Sequence, residues 1–122
     1  MIKKALISVW DKEGLLELAE FLIKNKIEIV STGGTAKHLV ENGIPVTKIS
    51  KITGMDSVMD GRVKTLNPKI FGGILADRDN DNHLKDLNDI GAGTIDLIVV
   101  NLYPFVSEAV KKQLPMKKAI EY

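Results

Sequence analysis

A chain of 122 residues has the usual length of one domain built on a single core, so we expect residues 1–122 to form one domain. Its 17 basic and 16 acidic residues almost cancel, which gives no field strong enough to attract nucleic acid or an anionic membrane. Cysteine is absent, which excludes disulfides, and the opening apolar run is too short for a secretion signal or a spanning helix, so a cytoplasmic protein is expected.

The first third of the chain predicts a strand, a helix and a second strand. Ala5 to Val9 and Ile27 to Val30 are short apolar runs, which are typical of strands buried on both faces of a sheet. Between them, apolar residues recur at helical spacing, and Asp11 is placed to cap the helix that they predict. These apolar residues are Leu15, Leu18, Ala19 and Leu22.

The middle of the chain predicts a second helix and a third strand. The helix runs from Ala36 to Asn42, with Leu39 and Val40 facing the core, and Gly43 ends it. Val46 to Ile49 then predicts a strand.

The last predicted elements are the strand GGILAD at 72–77, a helix around Leu87 that ends at Gly91, and the strand Leu97 to Val100. Alternating buried strands and amphipathic helices predict an α/β fold with a mostly parallel sheet covered on both faces. Right-handed crossovers place the carboxyl ends of all strands along one edge, where open α/β sheets bind ligands. The loops that directly follow strands are therefore the candidate sites.

The loop STGGT, Ser31 to Thr35, has the parts of a phosphate cradle. Its two glycines allow a ligand to approach the backbone, its hydroxyls offer donors, and the following helix directs its free N–H groups to the same point. The same letters also form an ordinary turn and helix N-cap, and both interpretations stay open. The motifs of P-loops and of dinucleotide-binding folds are absent from the sequence.

Two more loops follow predicted strands. In SVWDKEG, Lys12 falls in the first turn of the predicted helix, where the helix dipole disfavours a cation unless an anionic ligand is present; a solvated lysine is the alternative. In NLYPF, Asn101 and Tyr103 project polar atoms from the sheet edge, although Tyr103 also suits a packed aromatic side chain.

The segment DGRVKTLNPKIFGG, residues 60–73, fits neither a helical nor a strand period. Arg62 and Lys64 stand two residues apart, so in an extended segment both cations point the same way. Thr65 adds a hydroxyl, and glycines and a proline fix an irregular backbone course. A long excursion of this kind is typical of a binding loop.

A metal site is not expected. His38 and His83 lie far apart in predicted helices and have no cysteine companions. The segment DRDNDN at 77–82 has Asn82 where a calcium loop needs glycine and would need glutamate at Asn88, so we interpret it as a solvated turn.

Taken together and in this order, STGGTAK, DGRVKTLNPKIFGGILA and IDLIVVNLYPF resemble the N-terminal IMP cyclohydrolase domain of the bifunctional purine biosynthesis proteins, which also carry AICAR formyltransferase. The resemblance spans nearly the whole chain. It implies a methylglyoxal synthase-like fold, a three-layer α/β/α sandwich with a mostly parallel sheet. It also implies dehydrative ring closure of 5-formyl-AICAR to IMP without cofactor or metal, and a C-terminal formyltransferase domain as partner in a full-length chain.

The resemblance also implies roles for individual residues. The phosphate would be held by Thr32, Gly33, Gly34 and Thr35 together with Lys12 and the backbone near Trp10. Arg62, Lys64 and Thr65 would line the nucleotide site, and Asn101 and Tyr103 would orient the carboxamide or stabilise charge. Lys64 and Tyr103 would be the catalytic residues.

The chain departs from the family pattern at several points. Asn67 and Phe71 replace histidines that the family commonly carries, and Trp10 stands where a small residue is frequent. The family continues past residue 122 into a segment understood to supply an aspartate and a lysine to the site. We therefore expect a chain truncated at its C-terminal end, with incomplete turnover.

Two competing functions share this fold. A regulatory nucleotide-binding or phosphate-binding module, such as the allosteric domain of carbamoyl phosphate synthetase, would use a similar glycine loop without catalysis. RVKTLNPK and NLYPF favour the enzyme, because an effector site needs no second cationic loop. Methylglyoxal synthase ranks low, since its GGDQQ-type loop and catalytic aspartate have no counterpart here. Self-association as a homodimer is a hypothesis for light scattering.

Overall fold

The computed structural model describes residues 1–59, 61 and 64–102. Within these residues the chain forms four strands and five helices. In chain order they are β1 Lys4–Ser8, α1 Leu15–Lys24, β2 Glu28–Ser31, α2 Gly33–Glu41, β3 Thr47–Lys48, α3 Ile49–Thr53, α4 Pro68–Leu75, α5 Asp81–Asp89 and β4 Leu97–Val100. No helix in these described ranges is long and apolar enough to cross a membrane.

The four strands form one parallel sheet in the order β3-β2-β1-β4. The predicted parallel α/β architecture is therefore confirmed, as are the strands that became β1, β2 and β4. β3 is only two residues long, because α3 begins directly at Ile49. The chain runs from β1 outward to β3 and then returns to place β4 on the other side of β1, so the loops after β1 and β4 are neighbours at the carboxyl edge.

The central strand β1 buries both of its faces. Ala5 and Ile7 pack in a cluster with the apolar side of α1 and with Leu39 of α2. Leu6, which points the opposite way, packs with residues of the second cluster such as Ile70 of α4. Helices therefore cover the sheet on both faces, which explains why β1 is a continuous apolar run.

The start of α1 differs from the prediction. Gly14, with φ of 75°, occupies the N-cap position in the left-handed region. The Asp11 carboxylate instead accepts a hydrogen bond from the Glu13 N–H at 3.0 Å, within a turn that precedes the helix. Lys12 therefore lies before α1, and the prediction that it falls in the first turn of this helix is wrong.

Val40 was expected in the core and lies outside it. Leu39 on α2 is fully buried, whereas Val40 is 51% exposed. Adjacent helical positions differ by about 100° in direction, so only one of the two can face the sheet squarely. Val40 instead lines a surface cavity.

The GGILAD strand prediction is wrong, because Gly72 to Leu75 belong to α4, which ends before Ala76. The Asn67 side chain accepts a hydrogen bond from the Lys69 N–H, and Pro68 takes the first helical position. Gly73 faces the second core cluster, where a Cβ would lie 2.6 Å from the Gly93 carbonyl oxygen. Glycine weakens a helix, but here its lack of a side chain allows α4 to approach the backbone at Gly93 closely.

Asp96, directly before β4, connects this strand to the start of β1 through hydrogen bonds. Its carboxylate accepts hydrogen bonds from the backbone N–H groups of Lys3, at 2.7 Å, and Lys4, at 3.0 Å. It also pairs with the Arg78 guanidinium. The Lys3 N–H bond, helped by Lys4 and Arg78, lowers the pKa of Asp96 against the opposing effect of desolvation.

Gly73→Ala should destabilise the fold, because the new methyl group would overlap the Gly93 carbonyl oxygen. Gly72→Ala is the matched control in the same helix, where the new Cβ meets the ends of two side chains, Leu87 at 3.1 Å and Ile90 at 3.8 Å, and no backbone atom within 4 Å. We expect Gly73→Ala to have a free energy of unfolding roughly 2 kcal/mol lower than Gly72→Ala in urea titrations. Equal stabilities would contradict the close approach.

Asp96→Asn should lower the free energy of unfolding at neutral pH by about 1 to 3 kcal/mol, since the charged acceptor is lost. The folded chain has the lower pKa, so it binds fewer protons than the unfolded chain near that pKa. The stabilisation is therefore complete above the ordinary aspartate pKa of about 4 and is lost as pH falls through the folded value.

Urea titrations of both proteins between about pH 6 and pH 3 should show the difference between wild type and Asp96→Asn shrinking as the pH falls. Asp89→Asn removes only an exposed ion pair with Lys85 and serves as control, with a difference below about 1 kcal/mol throughout. A difference for Asp96→Asn that is independent of pH would contradict the assignment.

Candidate functional site

The glycine turn begins where β2 ends. Thr32 is buried in an extended conformation, and α2 starts at Gly33, whose φ of 47° suits a residue without a side chain. The Thr32 hydroxyl lies 3.1 Å from the Ser8 hydroxyl at the end of β1. The Thr32 side chain makes no capping hydrogen bond to α2, so it leaves the first N–H groups of this helix available to donate to an anion.

Buried hydroxyl groups join this turn to β1 and the loop after it. The Ser31 hydroxyl donates to the Ile7 carbonyl oxygen at 2.7 Å. The Thr35 hydroxyl donates to the Val9 carbonyl oxygen at 3.0 Å, and the Val9 N–H donates to the same hydroxyl at 3.1 Å. One threonine thereby satisfies both backbone groups of a buried residue, so the two loops hold a fixed relative position.

The loop after β1 is fastened from the other side by Asn101, which directly follows β4. Its carboxamide oxygen accepts from the N–H groups of Trp10, at 2.7 Å, and Asp11, at 3.1 Å. Its Nδ2 donates to the Asp11 carbonyl oxygen at 3.0 Å. Both polar atoms of Asn101 are therefore engaged with backbone, which makes it a residue that positions the loop.

Lys12 lies in this fastened loop. Its Nζ donates to the carbonyl oxygens of Val9, at 3.1 Å, and Trp10, at 3.2 Å. These bonds hold the partly buried ammonium group beside the same small cavity that the glycine turn lines.

Lys64 brings a second ammonium group to the glycine turn. A Cβ placed on Gly33 would lie 3.1 Å from Lys64 Nζ, and one placed on Gly61 would lie 3.5 Å from it. The ammonium group therefore occupies space next to two glycines that both have positive φ. Any side chain at position 33 would compete with it.

Two cavities meet at this point. The smaller has a volume of about 150 Å³ and the larger about 640 Å³, and Thr32, Gly33 and Lys64 line both. Eight predicted site residues line the smaller cavity: Trp10, Lys12, Thr32, Gly33, Gly34, Thr35, Lys64 and Asn101. Two lysines and a helix N-terminus around so small a space favour an anionic group as ligand.

The remaining predicted residues are not placed in either cavity. Arg62 and Tyr103 lie outside the described residues. Thr65 is described and partly buried, and its carbonyl oxygen accepts the Asn67 N–H at 2.8 Å. It is not among the residues that line the two cavities, so its contact with a ligand stays a prediction.

Sequence reasoning missed three residues of this region. Ser8 bonds to Thr32, and Lys48 and Asp56 line the larger cavity. Lys48 is the last residue of β3 and pairs in register with Ser31. It lies inside the predicted strand Val46 to Ile49, so the rule that ligands lie beyond the carboxyl ends of strands does not indicate it.

The protein is a parallel α/β domain with a glycine turn and two lysines at the carboxyl edge of its sheet. Residues 14–122 match the model of the MGS-like domain, and the chain belongs to this family.

The chain is also similar to bifunctional purine biosynthesis proteins PurH. It is 55% identical to the one from Clostridium acetobutylicum and 54% identical to one from Clostridium botulinum (strain Hall), in each case over all 122 residues. It spans about a quarter of the length of these relatives, 24%. The crystal structure of ForH superposes with a TM-score of 0.76 at 34% identity, covering 83% of this chain and 51% of that chain.

Thr35→Val should lower the free energy of unfolding by about 1 to 3 kcal/mol, because the buried N–H and carbonyl oxygen of Val9 lose a partner. Thr35→Ser keeps the hydroxyl and should cost about 1 kcal/mol or less, the value of one methyl group. Urea titration of both variants tests this. If serine were as damaging as valine, the hydroxyl would not be the stabilising group.

Proposed function

We propose that this chain forms part of the nucleotide site of an IMP cyclohydrolase, which closes the ring of 5-formyl-AICAR to give IMP in purine biosynthesis. The observation that carries the proposal is the ammonium group of Lys64 beside Gly33, at the entrance of a phosphate-sized cavity. The similarity to PurH proteins over the full chain supports the same function.

In this proposal the smaller cavity holds the 5′-phosphate. The N-terminus of α2, a helix of nine residues, supplies backbone N–H groups and the positive end of the dipole. Lys12 supplies a full charge close by, held in place by its two carbonyl contacts. A phosphate bound here neutralises both, which accounts for a cation and a helix N-terminus sharing one small space.

The ring closure then takes place on the Lys64 side. The carboxamide nitrogen attacks the formyl carbon, so that a C–N bond forms and negative charge develops on the formyl oxygen. The carboxamide nitrogen and the formamide nitrogen each lose one proton, and both protons go to this oxygen. The oxygen leaves as water as the C–O bond breaks and a C=N bond forms. Holding the phosphate restricts the two reacting groups to a near-attack geometry. The Lys64 ammonium stabilises the negative charge that develops on the formyl oxygen. Arg62 and Tyr103 are proposed as further contributors, with Tyr103 as the second catalytic residue.

The proposed partners are a nucleotide substrate and a formyltransferase domain in a longer chain, and the proposed location is the cytoplasm. The relatives are about four times as long as this chain, which leaves enough length for such a domain.

A regulatory nucleotide-binding role without catalysis is the second candidate. The Asn101 contacts favour it, because the carboxamide oxygen already accepts two hydrogen bonds and Nδ2 keeps only one N–H for a substrate. Nucleotide binding without turnover would support this second candidate.

The test is a chimera in which this chain replaces the matching segment of the Clostridium acetobutylicum relative. We expect the chimera to convert 5-formyl-AICAR to IMP, and chromatography of the products measures this conversion. Lys64→Ala should lower that rate roughly 100-fold or more, the usual cost of one charge-stabilising donor. Lys85→Ala, an exposed lysine of α5, is the matched control and should leave the rate unchanged.

Formyltransferase activity of the same chimera reports whether the rest of the protein is folded. A chimera that keeps formyltransferase activity and forms no IMP would contradict the proposed function. Equal IMP formation by the Lys64→Ala and unsubstituted chimeras would remove Lys64 from the reaction.

A further inference from the structure

We propose that the hydroxyl groups of Ser8 and Thr32 act as one interchangeable pair, which supplies a single O–H donor to the anion in the smaller cavity. This inference rests on the proposed nucleotide site and adds Ser8 to the residues that hold the phosphate. None of the roles implied by the resemblance involves Ser8, and none makes the Thr32 hydroxyl interchangeable with that of a second residue.

Strand pairing brings the two hydroxyls together. β1 and β2 are parallel neighbours that pair Ile7 with Ser31. The next residues along the two segments, Ser8 and Thr32, therefore stand opposite each other. Their hydroxyl oxygens lie 3.1 Å apart, and either hydroxyl can donate the hydrogen bond between them. Both residues line the smaller cavity, so the pair lies on the wall of the space proposed for the phosphate.

The pair has one proton more than its shared hydrogen bond uses. Each hydroxyl has a single O–H donor, so two hydroxyls bring two protons and the bond between them uses one. Thr32 is the N-cap residue of α2, yet its side chain makes no capping bond to that helix. Within the described ranges neither hydroxyl has another hydrogen-bond partner. One O–H is therefore free, whichever way the shared bond points.

The acceptors closest to this O–H are already engaged. The Asn101 side-chain oxygen accepts hydrogen bonds from two backbone N–H groups. The Val9 carbonyl oxygen accepts from Lys12 and Thr35. Among the residues that the structure describes, no carboxylate lines the smaller cavity. An anion held between the ammonium groups of Lys12 and Lys64 is therefore the acceptor for the free O–H.

Either hydroxyl can fill this role when the other is removed. In Ser8→Ala, Thr32 keeps its own proton and can donate it to the anion. In Thr32→Val, the Ser8 hydroxyl does the same. Only the loss of both hydroxyls leaves the anion without this donor, so the effects of the two substitutions on binding should not be additive.

The test is a double-variant cycle in which ribose 5-phosphate is titrated into this chain by calorimetry. Ser8→Ala and Thr32→Val should each raise the Kd about 3-fold or less, because one O–H remains. The double variant should raise the Kd roughly 30-fold or more, because a hydrogen bond to a charged group is lost. Ser8→Ala combined with Thr32→Ser keeps one hydroxyl and should bind like the single variants.

Thr47→Val on β3 is the matched control, since Thr47 lines neither of the two cavities and its loss should leave the Kd unchanged. Urea titration of each variant shows whether it is folded. If valine at position 32 prevents folding, Thr32→Ala removes the same hydroxyl and takes its place in the cycle.

The outcomes separate this inference from the proposed function. If Thr32→Val alone had the Kd of the double variant, Thr32 would be the only hydroxyl donor, and the inference would be overturned with the phosphate site intact. A double variant whose Kd rises by no more than the product of the two single effects would also overturn it. No binding of ribose 5-phosphate by the unsubstituted chain would contradict the phosphate site itself, and the inference with it.

Discussion

The candidate site depends on a pair of hydrogen bonds between the Thr35 hydroxyl and the backbone of Val9. Parallel strands bring their carboxyl ends to one edge, but they do not fix how the loops beyond that edge lie. Here a buried hydroxyl on the first turn of α2 satisfies both polar groups of the residue after β1. The loop that carries Lys12 and the turn that carries Gly33 are consequently held as one rigid unit.

This rigidity gives the site its electrostatic character without a large net charge on the chain. The 17 basic and 16 acidic residues balance over the whole sequence, yet Lys12 and Lys64 line one small cavity with the N-terminus of α2. A charge held by short carbonyl contacts has already lost the rotamer freedom that a ligand would otherwise have to restrict. Local geometry therefore supplies the attraction for an anion.

The sequence could predict the smaller cavity, because most of its residues follow three apolar strands, β1, β2 and β4, whose carboxyl ends must meet at one edge. It could not predict the larger one, since Val40 and Asp56 come from the outer side of a helix and from a loop with no recognised motif. The error at α4 has a related cause. IFGGIL shows no clear period, and its helical state depends on Asn67 and on close contact with Gly93, twenty residues away.

Asn101 links the edge strand to the entrance of the smaller cavity. It follows β4 directly and holds the loop after β1 through three hydrogen bonds. A shift of β4 by two residues would carry its carboxamide roughly 7 Å along the sheet, beyond the reach of that loop. Correct alignment of this outer strand during folding therefore determines whether the loop after β1 is held beside the smaller cavity.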